Sequence, residues 1–174
     1  MFRNSRTEKP QLDFEALYCA NSEEIFRFCL RMTGNRAEAE DLTQEVFVAA
    51  LEGLHRFRNQ ASQRTWLYRI AIYRHRANRK RFESRNVSLG VEHEANNRDQ
   101  SDLHVARIAL RDAIRELPEP LREAFVLVKC EGLTCSEAAS ILHIPVGTLK
   151  FRIHRAVDRL QTILGDEVEE SNAL

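Results

Sequence analysis

The sequence is sparing with residues that interrupt or cross-link a chain. It has only six glycines and four prolines in 174 residues, so few positions force a break in helical periodicity. Its four cysteines, Cys19, Cys29, Cys130 and Cys135, lack the paired close spacing of a zinc site. They read as small core or surface residues in a reducing cytosol. No apolar run approaches membrane-spanning length, and no signal peptide is visible. There is also no net charge, because 26 basic residues balance 26 acidic ones. That excludes a global field drawing the chain to nucleic acid, so any such affinity must come from local sorting of charge. A phosphate-cradling glycine loop, a carboxylate cluster with metal spacing and a nucleophile motif are all missing. An enzyme is therefore poorly supported, and neither cofactor nor metal is expected. What remains is long helical periodicity, and the expected fold is all-α.

The most informative stretch is residues 132–159. Thr134 followed by Glu137 forms a capping box that starts a short helix through Ala138, Ala139, Ile141 and Leu142. The helix is expected to stop at His143, a residue type that tolerates the left-handed conformation of a tight turn. Pro145 then restarts a helix, since a missing N–H costs nothing in the first turn. Val146, Leu149, Ile153, Val157 and Leu160 recur at helical spacing and should face a core. The opposite face centres on Phe151, with Thr148, His154, Arg155 and Asp158 around it and Lys150 and Arg152 on its flanks. An outward phenylalanine among cations suits a helix entering the major groove, where cations meet phosphates or guanine edges and the ring touches a thymine methyl.

The first half of the chain divides as follows. Residues 1–10 are polar and expected to fray. Leu17, Ile25, Phe26, Phe28, Cys29 and Met32 predict a helix over 12–32, with a candidate break near Asn21. Thr33, Gly34 and Asn35 end it, and Asn35 caps a second helix with Glu38 at the capping-box position. That helix, from Arg36 to about Arg56, is acidic early, as its dipole favours. Leu42, Val46, Ala49 and Ala50 make its buried side. Asp41, Gln44, Glu45 and Val48 share its exposed side, which dipole compensation alone does not explain, and they form a candidate partner surface.

Residues 57–62 read as a loop carrying Phe57, Arg58 and Asn59. A third helix follows over about 63–81, with Trp66, Ile70, Tyr73 and Ala77 as its expected apolar stripe and Leu67 and Ala71 beside it. Eight cations (Arg64, Arg69, Arg74, Arg76, Arg79, Lys80, Arg81 and Arg85) face one acid, Glu83, in this segment. Such a run repels itself on a solvated face, and its natural partner is phosphate. Residues 86–102 lose periodicity and read as a flexible linker between two small domains, 10–85 and 103–165. The second domain opens with an amphipathic helix over 103–117, a break at Pro118 and Pro120, and a further helix over 121–131. The acidic tail, 165–174, is expected to be disordered.

Two motif sets in order carry a resemblance. Asp41-Leu42-Thr43-Gln44-Glu45-Val46-Phe47 with Thr65-Trp66-Leu67-Tyr68-Arg69-Ile70-Ala71 resembles region two of a bacterial RNA polymerase sigma factor of the extracytoplasmic-function type, in the sigma-70 family. Leu117-Pro118, Glu131-Gly132-Leu133-Thr134 and Ile144-Pro145-Val146-Gly147-Thr148-Leu149-Lys150 resemble region four of the same family. The resemblance spans about residues 12–164.

It implies a cytoplasmic, non-catalytic factor that binds core RNA polymerase, directs it to promoter DNA and helps open the duplex. It further implies an anti-sigma factor as partner, and no membrane insertion. Asp41, Gln44, Glu45 and Val48 would meet the polymerase. Phe57, Arg58 and Asn59 would hold a flipped base, while Arg69, Tyr73, Arg74, Arg76, Arg79, Lys80 and Arg81 grip the melted strand. Thr148, Lys150, Phe151, Arg152, His154 and Arg155 would read the upstream element. Tyr73, His143 and Phe151 depart from residues the family often has there: asparagine, the turn glycine and a small polar residue. An ordinary helix-turn-helix regulator would explain the second domain and leave the basic third helix without a task.

Overall fold

The structure, a computed structural model, describes residues 13–57, 62–84 and 102–171. Residues 1–10, expected to fray, Arg58 and Asn59, and nearly all of the linker fall outside the described residues. All regular structure among the described residues is helical.

Helix α1, Phe14–Thr33, begins where the Asp13 carboxylate accepts the Glu15 and Ala16 backbone N–H groups, satisfying donors that the first turn leaves orphaned. It runs without the break considered at Asn21, whose side-chain amide donates to the Leu17 carbonyl at 2.8 Å and stays within the helix. Gly34 closes α1 in the left-handed region, at φ 73°. Asn35 then caps α2, Arg36–Gly53, by accepting the Glu38 N–H at 3.1 Å. A 3₁₀ turn, Leu54–Arg56, finishes that element earlier than one continuous helix would. Helix α3, Gln63–Ser84, starts at Ser62, whose hydroxyl takes the Thr65 N–H at 3.0 Å.

The buried face of α3 is centred to one side of the expected stripe, on the side of Leu67 and Ala71. Leu67, Tyr68, Ala71, Ile72 and His75 are buried, whereas Trp66 and Ile70 are half-buried and Tyr73 is 72% exposed. The α1–α2 core accepts the Tyr68 ring edge-on against Phe28, at 4.9 Å between centroids. The other stripe is left to line a groove with Ile141 and His143.

The second module comprises α4, Asp102–Glu116; α5, Glu119–Phe125; α6, Cys135–Leu142; and α7, Val146–Ser171. Between α5 and α6 lies a π-helical segment, Val126–Cys130, where the expectation was plain α-helix. On α7, Leu149, Ala156 and Leu160 are buried, Ile153 and Val157 are half-buried, and Val146 is 40% exposed. The core stripe thus alternates steps of four and three residues through Ala156, and the first turn stands clear of it. The expectation of a disordered tail is overturned as far as Ser171, because α7 continues through Gly165. A single glycine costs a long helix only about 1 kcal/mol.

The two modules meet. α3 lies against α6, and α1 lies against α4 and the π segment, so the buried apolar residues of both modules form one cluster.

Candidate nucleic-acid interface

On α2, Asp41, Gln44, Glu45 and Val48 line one cleft, as the helical spacing requires, and Arg74 of α3 completes it. Asp41 and Gln44 are exposed, and Val48 is 56% exposed. Glu45 is braced from behind by Asn78 Nδ2, at 3.0 Å. Arg74, grouped by sequence with the strand-gripping cations, sits beside the acidic surface and also lines the groove with Arg69 and Tyr73. Phe57 is half-buried, its ring 4.8 Å from that of Trp66. Arg58 and Asn59 lie outside the described residues.

In the helix-turn-helix, the Thr134 hydroxyl accepts the Glu137 N–H at 3.2 Å, and Glu137 Oε2 accepts the Thr134 N–H at 2.9 Å. The Thr134 hydroxyl also donates to Glu137 Oε2 at 2.7 Å, and this bond, then the backbone one, holds the Glu137 carboxyl below its ordinary range. His143 turns the chain at φ 55°, ψ 46°, in the left-handed region. The turn projects one face of α7 outward: Thr148, Lys150, His154 and Arg155 are exposed, Phe151 is 64% exposed, and Arg152 is half-buried. His154 Nδ1 lies 3.0 Å from Asp158 Oδ2, an i,i+4 pair on that surface.

The basic α3 behaves differently. Arg76 reaches across to α5 in a two-point contact, with Nε donating to Glu123 Oε1 at 2.7 Å and Nη2 to Oε2 at 2.6 Å. Arg79 donates to Glu119 at 3.0 Å, and Arg69 to the Ser140 hydroxyl at 3.1 Å. Lys80 and Arg81 remain exposed at the end of the helix. His75, 6% exposed, lies against the same seam, and its pKa is pushed down to about 4 by burial and then by Arg122, Arg79 and Arg76.

At the other end of the seam, Glu131 accepts from Arg31 at 2.7 Å and from the Tyr68 hydroxyl at 2.7 Å. Arg64 pairs with Glu24 and donates to the Glu131 carbonyl. Glu119, Glu123 and Glu131 do not stand out in the sequence as partners of the cations. The available signal was arithmetic: a neutral chain with one intensely basic segment holds the matching acids elsewhere. No group of three or more His, Cys, Asp or Glu that could hold a metal occurs among the described residues. No helix there is long and apolar enough to cross a membrane.

The family model described as Sigma-70 region 2 matches residues 17–85, and the one described as Sigma-70, region 4 matches residues 107–160. The RNA polymerase sigma-H factor of Pseudomonas aeruginosa is 30% identical over 172 residues, covering 91% of this chain and 89% of that protein. The chain belongs to the sigma-70 family, in its extracytoplasmic-function group. Another relative of this sigma factor is the extracytoplasmic-function RNA polymerase sigma factor SigW of Bacillus subtilis, 30% identical over 161 residues, covering 83% of this chain and 84% of that one. The fold is likewise shared. The sigma factor RpoE of Bartonella quintana, solved in complex with the anti-sigma factor NepR, superposes with a TM-score of 0.74 at 26% identity, over 88% of this chain and 97% of that one. CnrH, solved with the cytosolic domain of CnrY, gives 0.66 at 25% identity, over 88% of each chain.

Proposed function

We propose that this sigma factor binds core RNA polymerase in the cytoplasm, directs it to promoters and helps open the duplex, making and breaking no bond itself. The observation that carries this reading is the pair of family regions in order on one chain. The first bears an exposed acidic–apolar face on α2, and the second an exposed cationic–aromatic face on α7.

Residues 10–85 would form the module that meets polymerase and melted strand, 86–102 a tether, and 103–165 the module that reads intact duplex. Asp41, Gln44, Glu45 and Val48 are the polymerase contacts. Phe57, Arg58 and Asn59, with Arg69, Tyr73, Arg76, Arg79, Lys80 and Arg81, serve the unpaired strand, where rings stack bases and cations follow phosphates. Arg74 borders both surfaces. Thr148, Lys150, Phe151, Arg152, His154 and Arg155 serve the upstream element. Joint engagement of two promoter elements raises affinity through effective concentration. An anti-sigma factor is the natural third partner, since RpoE was solved with one bound.

The test is transcription in vitro with core polymerase on a library of promoters. Initiation at a defined subset of templates, dependent on this chain, is the expected result. Absence of dependent transcripts, together with a duplex shift by the chain alone, would make it a self-sufficient regulator.

A further inference from the structure

One hydrogen bond ties the outward face of α2 to α3. Asn78 Nδ2 donates to Glu45 Oε2 at 3.0 Å, and both residues are half-buried. An ionised carboxylate can only accept, so the amide must turn its NH2 group towards it. Asp41, Gln44 and Val48 on the same face are exposed. No hydrogen bond or ion pair fixes the Asp41 or Gln44 side chain among the described residues. Of the two acids on this face, only Glu45 has its direction set by the fold.

Arg74 stands one helical turn before Asn78, a spacing that shares a face of α3, and it lines the same cleft as Asp41 and Glu45. Yet its guanidinium makes no hydrogen bond or ion pair among the described residues. Two acids and a cation in one cleft would ordinarily find each other. An exposed ion pair gains little, because water screens it and two long side chains must be held still. The hydrogen bond from Asn78 to a charged acceptor outweighs it. That donor is neutral, so it orients the carboxylate without cancelling its charge. Position 78 is flanked by Arg76, Arg79 and Lys80, and a further cation there would neutralise Glu45 where the amide does not.

We propose that Asn78 is a positioning residue for polymerase docking: it holds Glu45 away from Arg74, so that the cleft keeps a fixed negative group and an unpaired guanidinium at once. This rests on the proposed sigma function and deepens it. The cleft then fits a polymerase segment that carries both signs, with cations for Asp41 and Glu45 and a carboxylate for Arg74. Without the amide, Glu45 turns to Arg74 and their charges cancel. A partner must then part that pair before it can engage either member. The helix α3 is thereby the second wall of the docking cleft as well as a strand-facing helix.

The test titrates the full, fluorescently labelled chain with core RNA polymerase and follows anisotropy. Asn78→Ala removes the donor and keeps α3 helical, since alanine is the best helix former. Its expected result is an affinity for core polymerase about fivefold weaker. In a Glu45→Ala background the same substitution is expected to change affinity by no more than about twofold, because Asn78 acts only through that carboxylate. The same holds in an Arg74→Gln background, where no cation is left for Glu45 to turn to. Equal weakening in all three backgrounds, the mark of a general structural role, overturns the proposal, as does full affinity in Asn78→Ala. Nuclear magnetic resonance of the free chain adds an arm that needs no polymerase. The Arg74 Nε–H is expected to exchange rapidly with water in the wild type and slowly in Asn78→Ala, where Glu45 covers it. Exchange unchanged by the substitution also overturns the proposal. A wild-type chain that fails to bind core polymerase would overturn the sigma reading and the docking role with it, whereas the exchange result alone shows whether Asn78 holds Glu45 off Arg74.

Discussion

His75 Nε2 and Glu119 Oε1 face each other across the seam at 3.5 Å, too far for a hydrogen bond. The imidazole stays neutral there because burial, and then Arg122, Arg79 and Arg76, hold its pKa near 4 rather than the ordinary 6.5. The closed, folded form thus binds fewer protons than the unfolded one. Its stability contribution is whole above pH 6.5 and drains as pH falls towards 4. Urea unfolding at neutral pH and at about pH 5 is expected to show a loss of about 2 kcal/mol attributable to this group. His75→Gln should lack that increment, and an identical pH response in the variant would assign the loss elsewhere.

Gly34 carries a second demand besides its left-handed backbone. A Cβ there would run into the guanidinium end of Arg115, which comes from the other module. Gly34→Ala is expected to lower stability by about 2 kcal/mol, through backbone strain and this collision. Adding Arg115→Ala should recover the collision part only. A thermal-melt double-mutant cycle measures that recovery, and strict additivity would show that the two residues do not interact.

Reversing Asp41 to lysine alters an exposed group on the α2 cleft without touching the seam. Core polymerase affinity is expected to fall about tenfold, roughly 1.4 kcal/mol, with helicity unchanged by circular dichroism. Full retention in a competition pull-down would move the docking surface away from this helix.

Arg155→Ala should weaken binding to the preferred upstream element by about 1–3 kcal/mol if the guanidinium reads a base edge. Duplexes altered at the contacted position would then lose less. Equal loss on every duplex, with a shallower salt dependence, would place Arg155 on a phosphate.

Legibility followed distance along the chain. The Thr134–Glu137 box and the left-handed His143 were readable because each is settled within a few residues. Phe151 was readable as an outward ring because α7 has one strong apolar side. On α3 the same logic chose wrongly. Trp66, Ile70 and Tyr73 look more like core than Tyr68 and His75 do, yet the latter two are buried. Periodicity finds two candidate faces and cannot say which one a neighbouring helix covers. The Arg76–Glu123 pair joins residues 47 apart in sequence, and no local pattern tells which acid answers which cation.

The π segment Val126–Cys130 has a consequence of its own. A π turn holds one more residue than an α turn, and each residue of an α-helix advances the chain by about 100°. Shortening this segment by one would let it rewind as ordinary α-helix and swing Glu131, with the capping box beyond it, about a quarter-turn out of phase. α5 and the helix-turn-helix beyond it would lose their common register, so the spare residue acts as the key that indexes one to the other.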